Sequence, residues 1–134
     1  METIFKLKNE LSFDKDIFEQ MRKSAADILI TALKYEYTQA IVLLSSKGNE
    51  YAALIKNALS KDMTDETSLL ATLSANNDTT ICHVLCMWND SKIDLPSYKF
   101  RKTLCELDTK NHESGIFVKT KDGYSVIKLS TTLK

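Results

Sequence analysis

The chain has 134 residues, of which 43% are hydrophobic, so it is long enough for one domain with its own core and too short for two ordinary ones. We therefore expect a single domain over residues 1–134. Its 18 basic and 18 acidic residues cancel, which argues against nucleic-acid binding through bulk charge. No segment reaches the roughly 18 apolar residues of a membrane span, and residues 1–13 lack the apolar run of a signal peptide. With an odd number of cysteines, three, the expected location is the reducing cytoplasm.

The charges are unevenly distributed along the chain. Residues 1–90 carry 9 basic and 13 acidic side chains, a net charge of −4, whereas residues 91–134 carry 9 and 5, a net charge of +4. The simplest interpretation is one sheet core with differently charged surfaces at its two ends. An anion site and a self-complementary oligomer interface are the alternatives.

The first half of the chain predicts a helix and a hairpin. A long amphipathic helix is expected after Asp14, a suitable N-cap, because apolar residues then recur at three- and four-residue spacing: Ile17, Phe18, Met21, Ala25, Ile28, Leu29, Ala32 and Leu33. The apolar run 39–44 predicts a buried strand, and residues 47–49 a turn into a return strand over 50–55. Residues 57–60 suit either an extension of that strand or a short helix.

The second half predicts two more helices and three strands. One helix is expected to start at Thr64, as a capping residue, and to end near residues 76–77. Residues 79–88 predict a central strand buried on both faces. The last helix should carry Pro96 in its first turn, with residue 94 or 95 as its cap, and bury Phe100, Leu104 and Leu107. Strands over 115–120 and 124–129 follow, joined by a turn at 121–123.

Two short motifs make this order of elements resemble a known family. Thr64-Asp65-Glu66 resembles the [HC]-A-E triplet of the small cytidine and blasticidin-S deaminases, and residues 96–101, Pro-Ser-Tyr-Lys-Phe-Arg, resemble their P-C-x-x-C-R run. Residues 37–48, 104–107 and 127–133 are similar to the family's first strand and turn, the continuation of its last helix, and its closing strand and tail. The resemblance covers roughly residues 20–133. It implies an α/β fold, a three-layer α-β-α sandwich around a mixed sheet of about five strands.

The departures from the family fall on its zinc ligands. Thr64, Ser97 and Phe100 occupy the three ligand positions, and a neutral hydroxyl or a phenyl ring does not hold zinc. We therefore expect no metal, no other cofactor and no zinc-dependent deamination. Glu66 matches the family's proton-carrying glutamate, although a first-turn glutamate also suits the helix dipole. Phe100 is expected to fill the space of the metal, giving a packed pseudo-site.

No replacement for the lost site is evident in the sequence. Cys82 and Cys86 would lie about 13 Å apart on one strand, too far to share an ion, and are expected to be core cysteines. His83, on the opposite face, is expected to be a packing residue with its hydrogen bonds satisfied. Cys105 lies among basic residues that would lower its thiol pKa, but no orienting base accompanies it. The family's ribose-contacting N-x-E would fall at residues 55–57, without an intact match.

Lys99, Arg101 and Lys102 form a basic patch on the last predicted helix. A solvated helix face is the default interpretation, and contact with a phosphate or an acidic partner is the alternative.

Three hypotheses of function remain. The first is an inactive deaminase-like protein that acts by protein association, as a homo-oligomer or with another protein; small cytidine deaminases commonly assemble through the helices around their sites. The second is a nucleoside- or nucleotide-binding module with a polar concave site near Glu66, Ser97 and Arg101. The third is an enzyme with metal-free chemistry in the old pocket.

Overall fold

One mixed sheet of seven strands forms the middle layer of the fold. The computed structural model describes residues 10–32, 37–60 and 62–134. Within them the strands are β1 (Glu10–Leu11), β2 (Gln39–Ser45), β3 (Glu50–Ile55), β4 (Ile81–Trp88), β5 (Ile93–Asp94), β6 (Gly115–Thr120) and β7 (Gly123–Lys128). In the same described ranges the α-helices are α1 (Lys15–Ile30), α2 (Thr64–Ala75) and α3 (Tyr98–Leu107), and short 3-10 helices span Thr109–Glu113 and Leu129–Leu133.

The strands are ordered β1-β7-β6-β4-β2-β3, and β5 also pairs with β4. Only β4 and β6 pair in parallel among the described strands, as the crossover through α3 requires. The expected three-layer α/β architecture is confirmed, but the expected sheet of about five strands is too small. The two additional strands, β1 and β5, have two residues each and are too short to show a periodic pattern.

Helix α1 covers one face of the sheet. Asp14 is its N-cap, as predicted, with a side-chain oxygen that accepts a hydrogen bond from the Ile17 backbone N–H at 3.1 Å. Its buried residues pack with apolar side chains of the strands in one cluster, and those on the helix are Phe18, Met21, Ala25 and Leu29. The helix ends at Ile30, so the predicted member Ala32 lies beyond it, and the predicted member at position 33 lies outside the described residues.

Helices α2 and α3 cover the opposite face. Leu69, Leu73, Phe100 and Leu104 join one apolar cluster with the strands beneath, and the predicted core residue Leu107 packs against it partly exposed. None of the helices in the described part of the chain has the length and apolar character needed to cross a bilayer.

The predicted hairpin is confirmed at both strands. Its turn contains Gly48 at a φ of 87°, a conformation that favours glycine. Residues 57–60, for which the sequence left strand and helix open, form neither: a turn spans 56–59 and a bend follows at residue 60.

Both predicted caps on the α2 and α3 side are wrong. Met63 is the N-cap of α2 and Thr64 is its first helical residue, with a backbone N–H that donates to Asp62 at 2.9 Å. Ser97 is the N-cap of α3, and Pro96 precedes it. A serine hydroxyl can accept from a first-turn N–H, which neither residue 95 nor a proline can do.

Cys82 is exposed, contrary to its prediction as a core cysteine. Leu44 pairs with His83 and Ser45 with Ile81, so Cys82 is the extra residue of a β-bulge between β2 and β4. The bulge places Ile81 in the core in its stead, because one additional residue exchanges the faces of a strand. Cys86, beyond the bulge, is buried as predicted.

Candidate functional site

The first turns of α2 and α3 meet on one face of the sheet. The Met63 sulfur lies 3.9 Å from the Ser97 hydroxyl oxygen, and Met63 packs against the core cluster that contains Phe100. Met63 directly precedes α2 and Ser97 directly precedes α3. Met63, which directly precedes the first motif-like segment, is therefore in contact with Ser97 of the second.

Ser97 uses its hydroxyl oxygen to cap α3. The oxygen accepts a hydrogen bond from the Phe100 backbone N–H at 3.1 Å. A serine in this position satisfies one of the otherwise unpaired N–H groups at the start of a helix. The hydroxyl at the second ligand position thus has a structural role in the helix.

Phe100 is fully buried, with 0% of its surface exposed. It belongs to the apolar cluster that also contains Leu70, Cys86 and Leu104. The phenyl ring at the third ligand position is accordingly part of the core, where it removes apolar surface from water and presents no donor atom.

Thr64, at the first ligand position, is exposed and bonded to its own N-terminal loop. Its backbone N–H and its hydroxyl both donate to Oδ1 of Asp62, and the hydrogen bond from the hydroxyl is the largest cause that lowers the pKa of that carboxyl. It is Met63, and not Thr64, that contacts Ser97. Ser97 and Phe100 thus lie together at the start of α3. Thr64 is hydrogen-bonded to Asp62 instead.

Glu66 lies buried in the first turn of α2, with 5% of its surface exposed. Its Oε1 atom has no hydrogen-bond partner. Burial is the largest cause that raises the pKa of Glu66, and the charges of Asp65 and Asp62 act in the same direction, against a backbone hydrogen bond that lowers it. The position that resembles the proton-carrying glutamate is therefore a desolvated carboxyl.

Cys86 is a side chain of a type that binds zinc, and it lies in the same core cluster as Phe100. Burial raises the pKa of its thiol well above the ordinary value, with Asp94 and Glu66 adding to the shift and Arg101 opposing it. A thiol binds zinc as the thiolate, and this environment favours the protonated form. Within the described ranges no three His, Cys, Asp or Glu side chains are grouped to hold a metal ion. The donor set at these positions does not fit zinc.

Arg101 joins the start of α3 to the end of the chain. Its Nε donates to the Pro96 carbonyl at 2.9 Å and one terminal nitrogen donates to the Thr132 carbonyl at 2.7 Å. The guanidinium lies 5.7 Å from the centre of the Tyr98 ring, and burial lowers its pKa. The arginine of the predicted basic patch thus binds backbone, whereas Lys99 and Lys102 are exposed.

A groove of about 300 Å³ lies beside this junction, at the end of β3. Its lining residues are Ile55, Lys56, Asn57, Ser60, Asp62, Thr64 and Asp65. It includes residues 55–57, where the family's ribose-contacting N-x-E would fall without an intact match, but Glu66, Ser97 and Arg101 are not among the lining residues. Sequence reasoning missed Asp62 and Asp65 as groove residues; an aspartate just before a predicted helix, whose side chain can accept from a backbone N–H two residues on, is the signal for Asp62.

The two remaining candidates are Cys105, which is buried, and His83, which is partly buried. Burial raises the pKa of Cys105, so the expected lowering by neighbouring basic residues is wrong. His83 packs as predicted, stacked at 5.5 Å on the Phe117 ring, but its Nδ1 is buried without a partner. The expectation of satisfied hydrogen bonds is wrong for this histidine, whose pKa burial lowers.

No protein-family model and no curated protein sequence matches the chain. Solved structures do. Cytidine deaminase from Mycobacterium leprae superposes with a TM-score of 0.64 at 18% identity, over 87% of this chain and 96% of that one. Cytidine deaminase from Mycobacterium tuberculosis superposes with a TM-score of 0.60 at 13% identity, over 87% of this chain and 93% of that one. Cytidine deaminase from Burkholderia pseudomallei superposes with a TM-score of 0.53 at 11% identity, over 81% of this chain and 93% of that one.

These likenesses extend over nearly the whole of each solved structure. The sequence identities are too low to establish more than the architecture. The chain has the cytidine deaminase fold, as the motifs and the order of elements predicted.

Replacing Glu66 by glutamine should stabilise the protein in a pH-dependent way. The pKa of Glu66 is raised above its ordinary value of 4.5. The wild type therefore has its full stability below about pH 4.5 and loses part of it as the pH rises through the raised pKa, because the buried carboxyl then ionises. Glutamine is neutral throughout. We expect the difference in melting temperature between E66Q and wild type to grow from about pH 4 to about pH 8. The growth corresponds to about 1 kcal/mol in the free energy of unfolding.

The matched control is E106Q, which removes the same charge from an exposed position on α3. Thermal unfolding at several pH values measures both variants. A difference between E66Q and wild type that stays constant with pH would contradict the burial of a charged carboxyl at this position.

Replacing Phe100 by alanine should destabilise the fold severely. A fully buried aromatic ring leaves a cavity when removed, at a cost of about 3–5 kcal/mol. Tyr98, two residues earlier and 52% exposed, supplies the control, and Y98A should cost less than about 1 kcal/mol. Urea denaturation measures both, and a mild effect of F100A would show that the ring does not fill the junction.

Proposed function

We propose that this protein is a deaminase-like protein without zinc or deaminase activity, which acts in the cytoplasm by association with protein. The observation that carries the proposal is the fully buried Phe100 ring at a position that the resemblance assigns to a metal ligand. Its neighbour at the second ligand position, Ser97, is occupied in capping the helix. The scaffold persists while the residues that would hold zinc have taken structural roles.

The size of the lost chemical effect supports inactivity. Bound zinc lowers the pKa of water from 15.7 to about 7, which at 1.36 kcal/mol per unit is roughly 12 kcal/mol of nucleophile activation. Glu66 is a buried carboxyl without an activated water to serve, and Cys105 is a buried thiol with a raised pKa. Neither residue replaces the metal, which also argues against the hypothesis of a metal-free enzyme.

Charge supports association as the remaining role. Lys99 and Lys102 lie one turn apart on the exposed side of α3, within residues 91–134, which carry the net charge of +4. An acidic protein surface, including one formed by residues 1–90 of a second copy, is complementary to them. Arg101 contributes less to such a contact because its guanidinium binds two backbone carbonyls.

The proposal predicts that the protein does not deaminate cytidine or deoxycytidine, even after growth with added zinc. The change in ultraviolet absorbance as the cytosine base is converted to the uracil base measures the rate of deamination. The control is E66Q, in which the glutamate that matches the family's proton carrier is neutral. A trace rate that is the same in wild type and E66Q is a contaminant, whereas a rate that E66Q abolishes would overturn the proposal.

A nucleoside-binding module is the alternative function. The groove of about 300 Å³ beside Asn57 and Thr64 favours it, because that volume suits a small ligand. The two aspartates that line the groove disfavour a phosphorylated ligand. This alternative predicts that cytidine shifts the amide resonances of residues 55–64 in a saturable titration and that N57A weakens the effect; unchanged spectra at millimolar cytidine would exclude it.

A further inference from the structure

Strand β3 forms one edge of the sheet. In the part of the chain that the structure describes, it pairs with β2 on one side and with no strand on the other. Its six residues contain no proline, and Ala52 and Ala53 occupy its middle. Proteins commonly protect such an edge with proline, bulges or charged residues, because its free backbone groups can pair with another chain. This edge has charges only at its ends.

The backbone groups that point outward can be assigned from the hairpin. The Ser45 N–H donates to the Asn49 carbonyl at 2.8 Å, so these opposed residues form a hydrogen-bonded pair. Hydrogen-bonded and non-hydrogen-bonded pairs alternate along an antiparallel ladder, which directs the N–H and C=O groups of Ala52 and Leu54 away from β2. The Lys56 N–H follows the same alternation and donates outward, to Oδ2 of Asp65 at 3.0 Å.

The outer edge is accessible. A groove of about 260 Å³ runs beside residues 51–54, and α2 contributes its other wall through Asp65, Ser68, Leu69 and Thr72. Ser68 and Thr72 are exposed and small, so a second backbone can approach without displacing a large side chain.

We propose that two copies of this chain associate by antiparallel pairing of their β3 edges, with the twofold axis at Ala53. Ala52 of each copy then lies opposite Leu54 of the other, and these outward-pointing residues form four backbone hydrogen bonds. The two sheets become one continuous sheet, with both α2 helices on the same face. The inference rests on the proposed function, association with protein, and specifies the surface and the partner.

Charge selects this register. With the axis at Ala53, Glu50 lies opposite Lys56 of the second copy, twice by symmetry. Glu50 alternates with Leu54 onto the α1 face, and Lys56 is the first residue after the strand. Glu50 is already held on that face by a hydrogen bond from Ser24 of α1, at 2.6 Å. An axis at Ala52 would place Glu50 opposite Leu54, and an axis at Leu54 would place Lys56 opposite Ala52. Only the Ala53 register joins opposite charges, a favourable cross-strand pair.

The apolar side chains agree with the same register. On the α2 face, the partly exposed Tyr51 lies opposite the buried Ile55 of the second copy, so this register brings no charged side chains together on that face. On the α1 face, the small Ala52 meets the larger Leu54. This interface uses the sheet edge, whereas the resemblance implied assembly through helices around the site.

Charge reversal tests the register. We expect wild type to dimerise in sedimentation equilibrium, E50K and K56E each to raise the dimer dissociation constant about tenfold, and the double variant E50K/K56E to restore it, because the opposed charges are then merely exchanged. D122K and K121E, exposed in the turn between β6 and β7, make the same changes in net charge and should leave the dimer intact. Restoration by the double variant distinguishes the interface from a folding defect.

Backbone amides give a second readout. The amides of Ala52 and Leu54 should exchange with solvent more slowly as the protein concentration rises, and A52P, which removes an outward N–H, should abolish dimerisation while retaining the melting temperature of the monomer. A wild-type protein that stays monomeric would overturn the inference. Oligomers that persist in E50K, K56E and A52P would also overturn it while leaving the proposed association intact, and deaminase activity would overturn the proposed function alone.

Discussion

The position of β4 within the sheet is the constraint on which the rest of the structure depends. It pairs antiparallel with β2 and parallel with β6, and residues 84–87 are buried. Because parallel neighbours need a crossover, α3 lies between β4 and β6 in the chain and packs on a face of the sheet, where α2 packs also. Their first turns then meet at Met63 and Ser97. In this chain the two helix starts form a packed junction around the buried Phe100 ring.

The chemistry of that junction follows from the residues that fill it. A phenyl ring adds apolar burial, a serine caps a helix, and an arginine ties the end of the chain to the start of α3. The exception is Glu66, whose Oε1 is buried without a partner and therefore carries a cost in stability. The ring, the capping hydroxyl and the arginine all make structural contacts at this junction.

Much of the fold is encoded locally, and the misses have specific causes. The hairpin strands, the Asp14 cap and the buried Phe100 follow from strong periodic patterns and turn residues. The bulge at Cys82 depends on the register between two strands distant in sequence, which no local pattern reveals. The pKa of Cys105 was predicted from charged neighbours, but burial, a tertiary property, dominates it. The unpartnered Glu66 oxygen likewise reflects tertiary packing, because the sequence alone places this glutamate in a helix first turn, where an exposed carboxylate is favourable.

Whether this protein binds zinc is tested most directly by the zinc content of untagged protein grown with added zinc, measured by inductively coupled plasma mass spectrometry. A ring and a capping hydroxyl at two ligand positions predict zinc far below one ion per chain. One zinc per chain, retained through gel filtration, would contradict the account and require a ligand set other than Thr64, Ser97 and Phe100.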